Sequence, residues 1–131
     1  MSGKARQMSA PQRARTQLTL QVAAAADARQ CALDAWAAVA PVPRAALVEG
    51  AFDDLQAPSD TIVERLAAGC VCCVGNVPMR VVLSRLLRQH RPACVLLLIA
   101  ATTHRERVER LLTSAPLDQA VQLVTGPAAC S

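Results

Sequence analysis

At 131 residues, 53% hydrophobic and 18% charged, the chain has the length and apolar content of one domain with a core of its own. Its longest strongly apolar run, residues 94–101, is too short to cross a bilayer, and no apolar segment of signal-peptide type follows the start, so neither membrane partner nor export is expected. The net charge of +4 resides in the first 16 residues (Lys4, Arg6, Arg13 and Arg15, with no acid), and the only aromatics are Trp36 and Phe52, which leaves no base-stacking platform and argues against a nucleic-acid partner.

Residues 1–16 are polar, basic and aperiodic, and read as a disordered tail ahead of one α/β domain over 17–126, with a short C-terminal tail at 127–131. Residues 17–22 alternate apolar and polar side chains and predict a strand. An alanine-rich helix follows over 27–39, with Asp27 as its expected cap and Pro41 and Pro43 beyond its end. Residues 44–48 predict a second strand, and 49–60 a loop carrying Glu49, Asp53 and Asp54. Residues 61–68 read as a short helix closed by Gly69. After a cysteine-rich loop, residues 77–90 predict a helix with Asn76 near its cap and Pro78 in its first turn. Met79, Val82, Leu83, Leu86 and Leu87 fall at helical spacing along it. Residues 94–99 form a continuous apolar run, expected of a central strand covered on both faces. A helix over 105–112 and a strand over 121–124 complete the order. Strands alternating with helices predict a three-layer α/β fold, a mainly parallel sheet with flanking helices. Sites in such sheets gather at the carboxyl ends of strands, here after Val22, Val48 and Ile99.

Three of the six cysteines stand in Gly69-Cys70-Val71-Cys72-Cys73. Adjacent Cys72 and Cys73 do not readily bridge to each other, and with no export signal the cytoplasm, with reduced thiols, is the expected compartment. As thiolates, Cys70, Cys72 and Cys73 suit Zn²⁺, Co²⁺ or another thiophilic ion and supply part of a tetrahedral site, the fourth ligand coming from elsewhere in the chain or from a partner. Redox chemistry and simple packing remain open for the same thiols. Cys31 and Cys94 read as packing residues and Cys130 as an incidental thiol. His104, beside Arg105 and Arg107, follows the central strand and is placed to face a ligand, although a histidine at a helix start is ordinarily solvated. His90 ends a helix, where a cation meets the negative end of the dipole. Asp53-Asp54 reads as a solvated acidic turn.

These residues resemble the CobW-type (CobW/HypB/UreG-like) P-loop GTPase metallochaperones. In that family a Cys-x-Cys-Cys motif, usually preceded by Gly, follows an acidic loop and leads into a helix and an apolar strand. Here the motif at 69–73 is followed by a helix through Arg80-Val-Val-Leu-Ser-Arg-Leu-Leu and a strand at Val95-Leu-Leu-Leu-Ile. The resemblance runs over 18–125, is strongest over 63–99, and implies a shortened P-loop NTPase-like domain without the family's second half. It also implies metal binding at the cysteines, with Glu49 matching a family acid. The family's phosphate loop, G-x-x-x-x-G-K-[ST], falls on Ala23-Ala24-Ala25-Ala26-Asp27-Ala28-Arg29-Gln30. Both glycines are alanine, lysine is Arg29, and the Mg²⁺-binding hydroxyl is glutamine. Arg29 is then a residual phosphate-loop position, and the loop argues against GTP and Mg²⁺ as cofactors. After the third strand, Ala100-Ala101-Thr102-Thr103 keeps the family's hydroxyls but not its acid or glycine.

The expected function is binding of a transition metal of zinc or cobalt type through the thiolate motif, with little or no GTP hydrolysis. Two other readings stand beside it: a GTP-binding metallochaperone with an atypical phosphate loop, and a non-enzymatic partner docking on a full-length paralogue. A metalloprotein client or a second copy of the chain are the further partners that these readings imply.

Overall fold

A computed structural model of the chain describes residues 15–50, 55–66 and 77–126. In chain order the elements are β1 (Thr16–Val22), α1 (Ala26–Val39), β2 (Arg44–Glu49), β3 (Thr61–Leu66), α2 (Val77–His90), β4 (Cys94–Ile99), α3 (Arg105–Leu112) and β5 (Val121–Val124). Single 3-10 turns at Thr102–His104 and Leu117–Gln119 flank α3. The five strands form one sheet in the order β3-β2-β4-β1-β5, with every pairing parallel. The three-layer α/β architecture is the one the alternation predicts.

The sheet separates two cores, and strand alternation assigns residues to each. On one face Leu18, Leu20, Leu47, Val95, Leu97 and Ile99 pack under α2 and α3. On the other, Ala46, Val48, Cys94, Leu96 and Leu98 pack under α1 through Leu33 and Trp36. All six residues of β4 are buried, so the continuous apolar run reflects a strand covered on both sides. Each fully buried leucine here contributes about 1.5–3 kcal/mol relative to exposure. The predicted stripe on α2 is borne out at Met79, Leu83 and Leu86, which are buried, and at Val82 and Leu87, which pack against the same core.

Arg44 joins three elements at the amino edge of the sheet. Its Nη1 donates to the carbonyls of Ala37 (2.8 Å) and Ala40 (2.7 Å), which the end of α1 leaves without helical partners. Its Nε donates to Thr61 Oγ1 at the start of β3 (2.8 Å), and its Nη2 pairs with Asp60 (2.8 Å).

The structure corrects four expectations. Residues 61–66 are strand β3 rather than a helix, paired with β2 from Arg44↔Thr61 to Glu49↔Leu66. The β-branched run Thr61-Ile62-Val63 suits a pleated surface, and a free edge of β2 supplies its hydrogen bonds. Glu49 is the last residue of β2, not part of a loop. Asp27 lies inside the first turn of α1, whose cap position is Ala25 without a side-chain cap bond. Cys31 is disulfide-bonded rather than a packing thiol, whereas Cys94 is a free, buried cysteine as expected. Among the described residues no helix is long and apolar enough to cross a membrane.

Candidate functional site

The strand order places the ends of β1, β2 and β4 side by side, so the three positions expected to carry a site come together at one carboxyl edge. β2 and β4 are in register from Arg44↔Cys94 to Val48↔Leu98, and β1 and β4 from Gln17↔Cys94 to Val22↔Ile99. One step beyond these pairings lie Ala23, Glu49-Gly50 and Ala100.

Arg29, in the first part of α1, turns back toward the end of β1, where its Nε donates to the Ala23 carbonyl at 3.1 Å. The residue is 8% exposed, so this guanidinium is held largely out of solvent. Gly50 allows that placement. Its φ is +100°, and a Cβ built on it would lie 3.1 Å from Arg29 Nη2. The Gly50 amide meanwhile donates to the Leu66 carbonyl at 2.8 Å, which fixes the chain as it leaves β2.

Glu49 is fully buried at the end of β2. Its Oε1 accepts the Ala100 amide at 2.7 Å, a bond that ties the ends of β2 and β4 together across 51 positions. The same Oε1 lies 3.5 Å from Nδ1 of His104, which stands between the 3-10 turn and α3. The His104 side chain is 17% exposed, and its Nδ1 is buried without a hydrogen-bond partner. His104 is therefore not the solvated helix-start residue that its position suggested.

Cys70, Cys72, Cys73, Asp53 and Asp54 lie outside the described residues. Among the described residues no group of three or more His, Cys, Asp and Glu side chains is arranged to hold a metal ion. The structure thus brings together Arg29, Glu49 and His104 at the carboxyl edge, the first two from the expected set. His104 gave no stronger sequence signal than its place after an apolar strand.

Beside this edge a cavity of about 450 Å³ opens between the ends of β1 and β5 and the start of α3, lined by Gln21, Val22, Thr102, Arg105 and Glu109 among others. The Arg105 guanidinium pairs with Glu109 one turn along α3, at 3.2 Å. At the opposite edge of the sheet, burial pushes the Cys94 thiol pKa up, and the Arg44 charge opposes that rise in part.

Against known proteins, no family model and no solved structure matches the chain. The chain is similar to the zinc chaperone YeiR of Escherichia coli (strain K12), with 37% identity over 60 residues, 46% of this chain and 18% of that protein. The match therefore spans less than a fifth of its relative's length.

Proposed function

We propose that this chain is a metal-carrying α/β domain of CobW type that takes up a zinc-like transition metal as cargo. In the reduced protein its ligands are the thiolates of Cys70, Cys72 and Cys73, with the Glu49 carboxylate as a further candidate. The observation that carries the reading is the similarity to a zinc chaperone in a chain that also holds Gly-Cys-x-Cys-Cys. The donor chemistry supports it. Thiolates suit zinc and cobalt, and three of them within four positions leave a coordination position for a further protein ligand or a recipient. An incompletely closed set favours handing the ion on, for instance to a metalloprotein client, over permanent storage. The cytoplasm is the compartment in keeping with ligating thiols. GTP hydrolysis is not part of this reading, because the segment at the phosphate-loop position lacks both glycines, the lysine and the hydroxyl.

The test is a Co²⁺ titration of the reduced protein, read by thiolate-to-cobalt charge-transfer absorption, with Zn²⁺ as competitor. Near-stoichiometric binding is expected, and Cys72→Ser should weaken it by at least about tenfold and diminish the band. Equal affinity and an unchanged spectrum in Cys72→Ser would overturn the reading.

A further inference from the structure

We propose that the cleft at the amino edge of the sheet binds a small organic phosphate ester, held by the guanidinium groups of Arg15, Arg88 and Arg91 over an apolar floor. The cleft reaches the start of β4 at Cys94, the end of the sheet opposite Glu49, and the proposal is independent of the metal-carrying reading.

The cleft measures about 940 Å³, within the usual range for small-molecule sites of about 300–1,000 Å³. Its charged lining is all of one sign: Arg15 ahead of β1, Arg88 in the last turn of α2 and Arg91 just beyond it. Arg44, Arg85, Arg105 and Arg110 each meet a carboxylate, at 2.8 to 3.7 Å. Among the described residues Arg15, Arg88 and Arg91 meet none. Arg15 Nη1 donates to the backbone carbonyl of Asp118 at 3.0 Å, which fixes the side chain and leaves Nε and Nη2 for a ligand. Three guanidiniums without a counter-charge around one concavity favour an anion. Their planar forks match phosphate oxygens, and a phosphate monoester brings about −1.5 to −2 charges where a carboxylate brings one.

Arg91 supplies a second observation. It is the one described non-glycine residue with positive φ, +45°, at a helix end that ordinarily takes glycine or asparagine. Its amide still donates to the Leu87 carbonyl at 3.1 Å, so the backbone there is a regular helix stop, and arginine accepts the strain of a place made for glycine. A charged side chain aimed into the cleft gives that strain a use. Arg88 also stands at the negative end of the α2 dipole, which favours its charge without a ligand. The dipole does not account for Arg15, which arrives from a different element.

The walls are held by backbone bonds and the floor is apolar. Gln17 donates to the Ala93 carbonyl (3.0 Å), Thr16 to that of Ala120 (3.0 Å) and Ala93 to that of Pro43 (2.7 Å). Thr16 Oγ1 donates to the Pro92 carbonyl at 2.8 Å. A cleft fixed in this way loses little freedom on binding. Pro43, Leu87, Pro92 and Cys94 make up much of the remaining lining, which suits a ligand with an apolar body beside its phosphate.

The experiment uses the reduced full chain without added metal, labelled with ¹⁵N-arginine, and 1-naphthyl phosphate as the probe. The Nε–Hε resonances of Arg15, Arg88 and Arg91 should shift saturably with one common Kd, while those of Arg85 and Arg105 stay in place. Arg88→Gln and Arg91→Asn should each weaken binding by about tenfold. Asparagine suits the left-handed position, so Arg91→Asn removes the charge and keeps the helix stop. Inorganic phosphate alone should bind more weakly than the ester, because it leaves the floor uncovered. Unchanged affinity in both variants, or shifts that do not saturate, would overturn the proposal. Capture on phosphatidylcholine vesicles containing phosphatidic acid, with no binding of the soluble ester, would overturn it in favour of a lipid surface. Should Arg91→Asn fail to fold by circular dichroism, Arg88→Gln, a change at an exposed position, decides alone.

Discussion

Gly50 has φ +100°, and a Cβ built on it would stand 3.1 Å from Arg29 Nη2, so two distinct costs meet at one position. The first is backbone strain, about 1–2 kcal/mol for an L-residue in left-handed space. The second is displacement of a guanidinium whose Nε is bonded to Ala23 and which has little solvent to move into. With both costs acting, Gly50→Ala is expected to lower unfolding stability by at least about 2 kcal/mol, read by urea denaturation. In an Arg29→Ala background the same substitution should cost less, because the steric part disappears while the backbone part remains. Equal losses in both backgrounds would show that Arg29 does not press on Gly50. The sequence alone marks Gly50 as a turn glycine at most, since nothing in residues 44–50 announces that α1 will send a guanidinium across them. The pairing of Glu49 with His104 was obscured in the same way. They stand 55 positions apart and meet because β2 and β4 are neighbours, which no local pattern encodes.

Among the elements, β4 was the most legible and β3 the least, for related reasons. β4 is covered on both faces, so its six residues are all apolar and no helical alternation competes. β3 is an edge strand whose middle residues are half-buried and whose composition, Thr-Ile-Val-Glu-Arg-Leu, mixes β-branched residues with good helix formers. Its state is decided by pairing with β2 and by the Arg44 bond to Thr61, both tertiary. The burial of β4 also carries a consequence for its first residue. A buried thiol favours its neutral form, so the Cys94 pKa is raised on folding. The unfolded thiol ionises first, near pH 8.5, and the folded state holds the proton longer. This contribution to stability is fully present below the unfolded pKa and is lost as pH rises through the folded one. The parent protein is therefore expected to lose more stability between pH 8 and pH 10 than Cys94→Val, which keeps the volume without the titration. Urea melts at the two pH values measure the difference, and parallel losses would count against the shift. Alkylation of native Cys94 at pH 8 should likewise be far slower than in urea.

At the scale of the whole molecule, the parallel sheet puts the first β–α turn where this architecture ordinarily receives a phosphate, at a strand's carboxyl end facing a helix N-terminus. Three features of that turn work against an anion. The cap residue is Ala25, so no glycine brings the backbone close or turns successive amides inward. Asp27 sits in the first turn of α1, and its Oδ1 accepts the Ala28 amide at 2.9 Å, so one free donor of the helix start is already taken by a negative charge. Arg29 is folded back on the Ala23 carbonyl, so reaching a phosphate would break that bond. These effects act on one small volume and share a sign. A fluorescent GTP analogue with Mg²⁺ is thus expected to show no saturable binding at micromolar concentrations, and metal uptake at Cys70, Cys72 and Cys73 should proceed equally with and without GTP. Saturable micromolar binding that is lost in Arg29→Ala would instead place the protein among nucleotide-driven carriers with an atypical phosphate loop. The comparison turns on Arg29, because it is the one cation that the turn retains: if it binds phosphate, its removal must weaken the nucleotide, whereas if it only braces Ala23 and the Gly50 backbone, its removal changes stability and leaves nucleotide affinity negligible throughout.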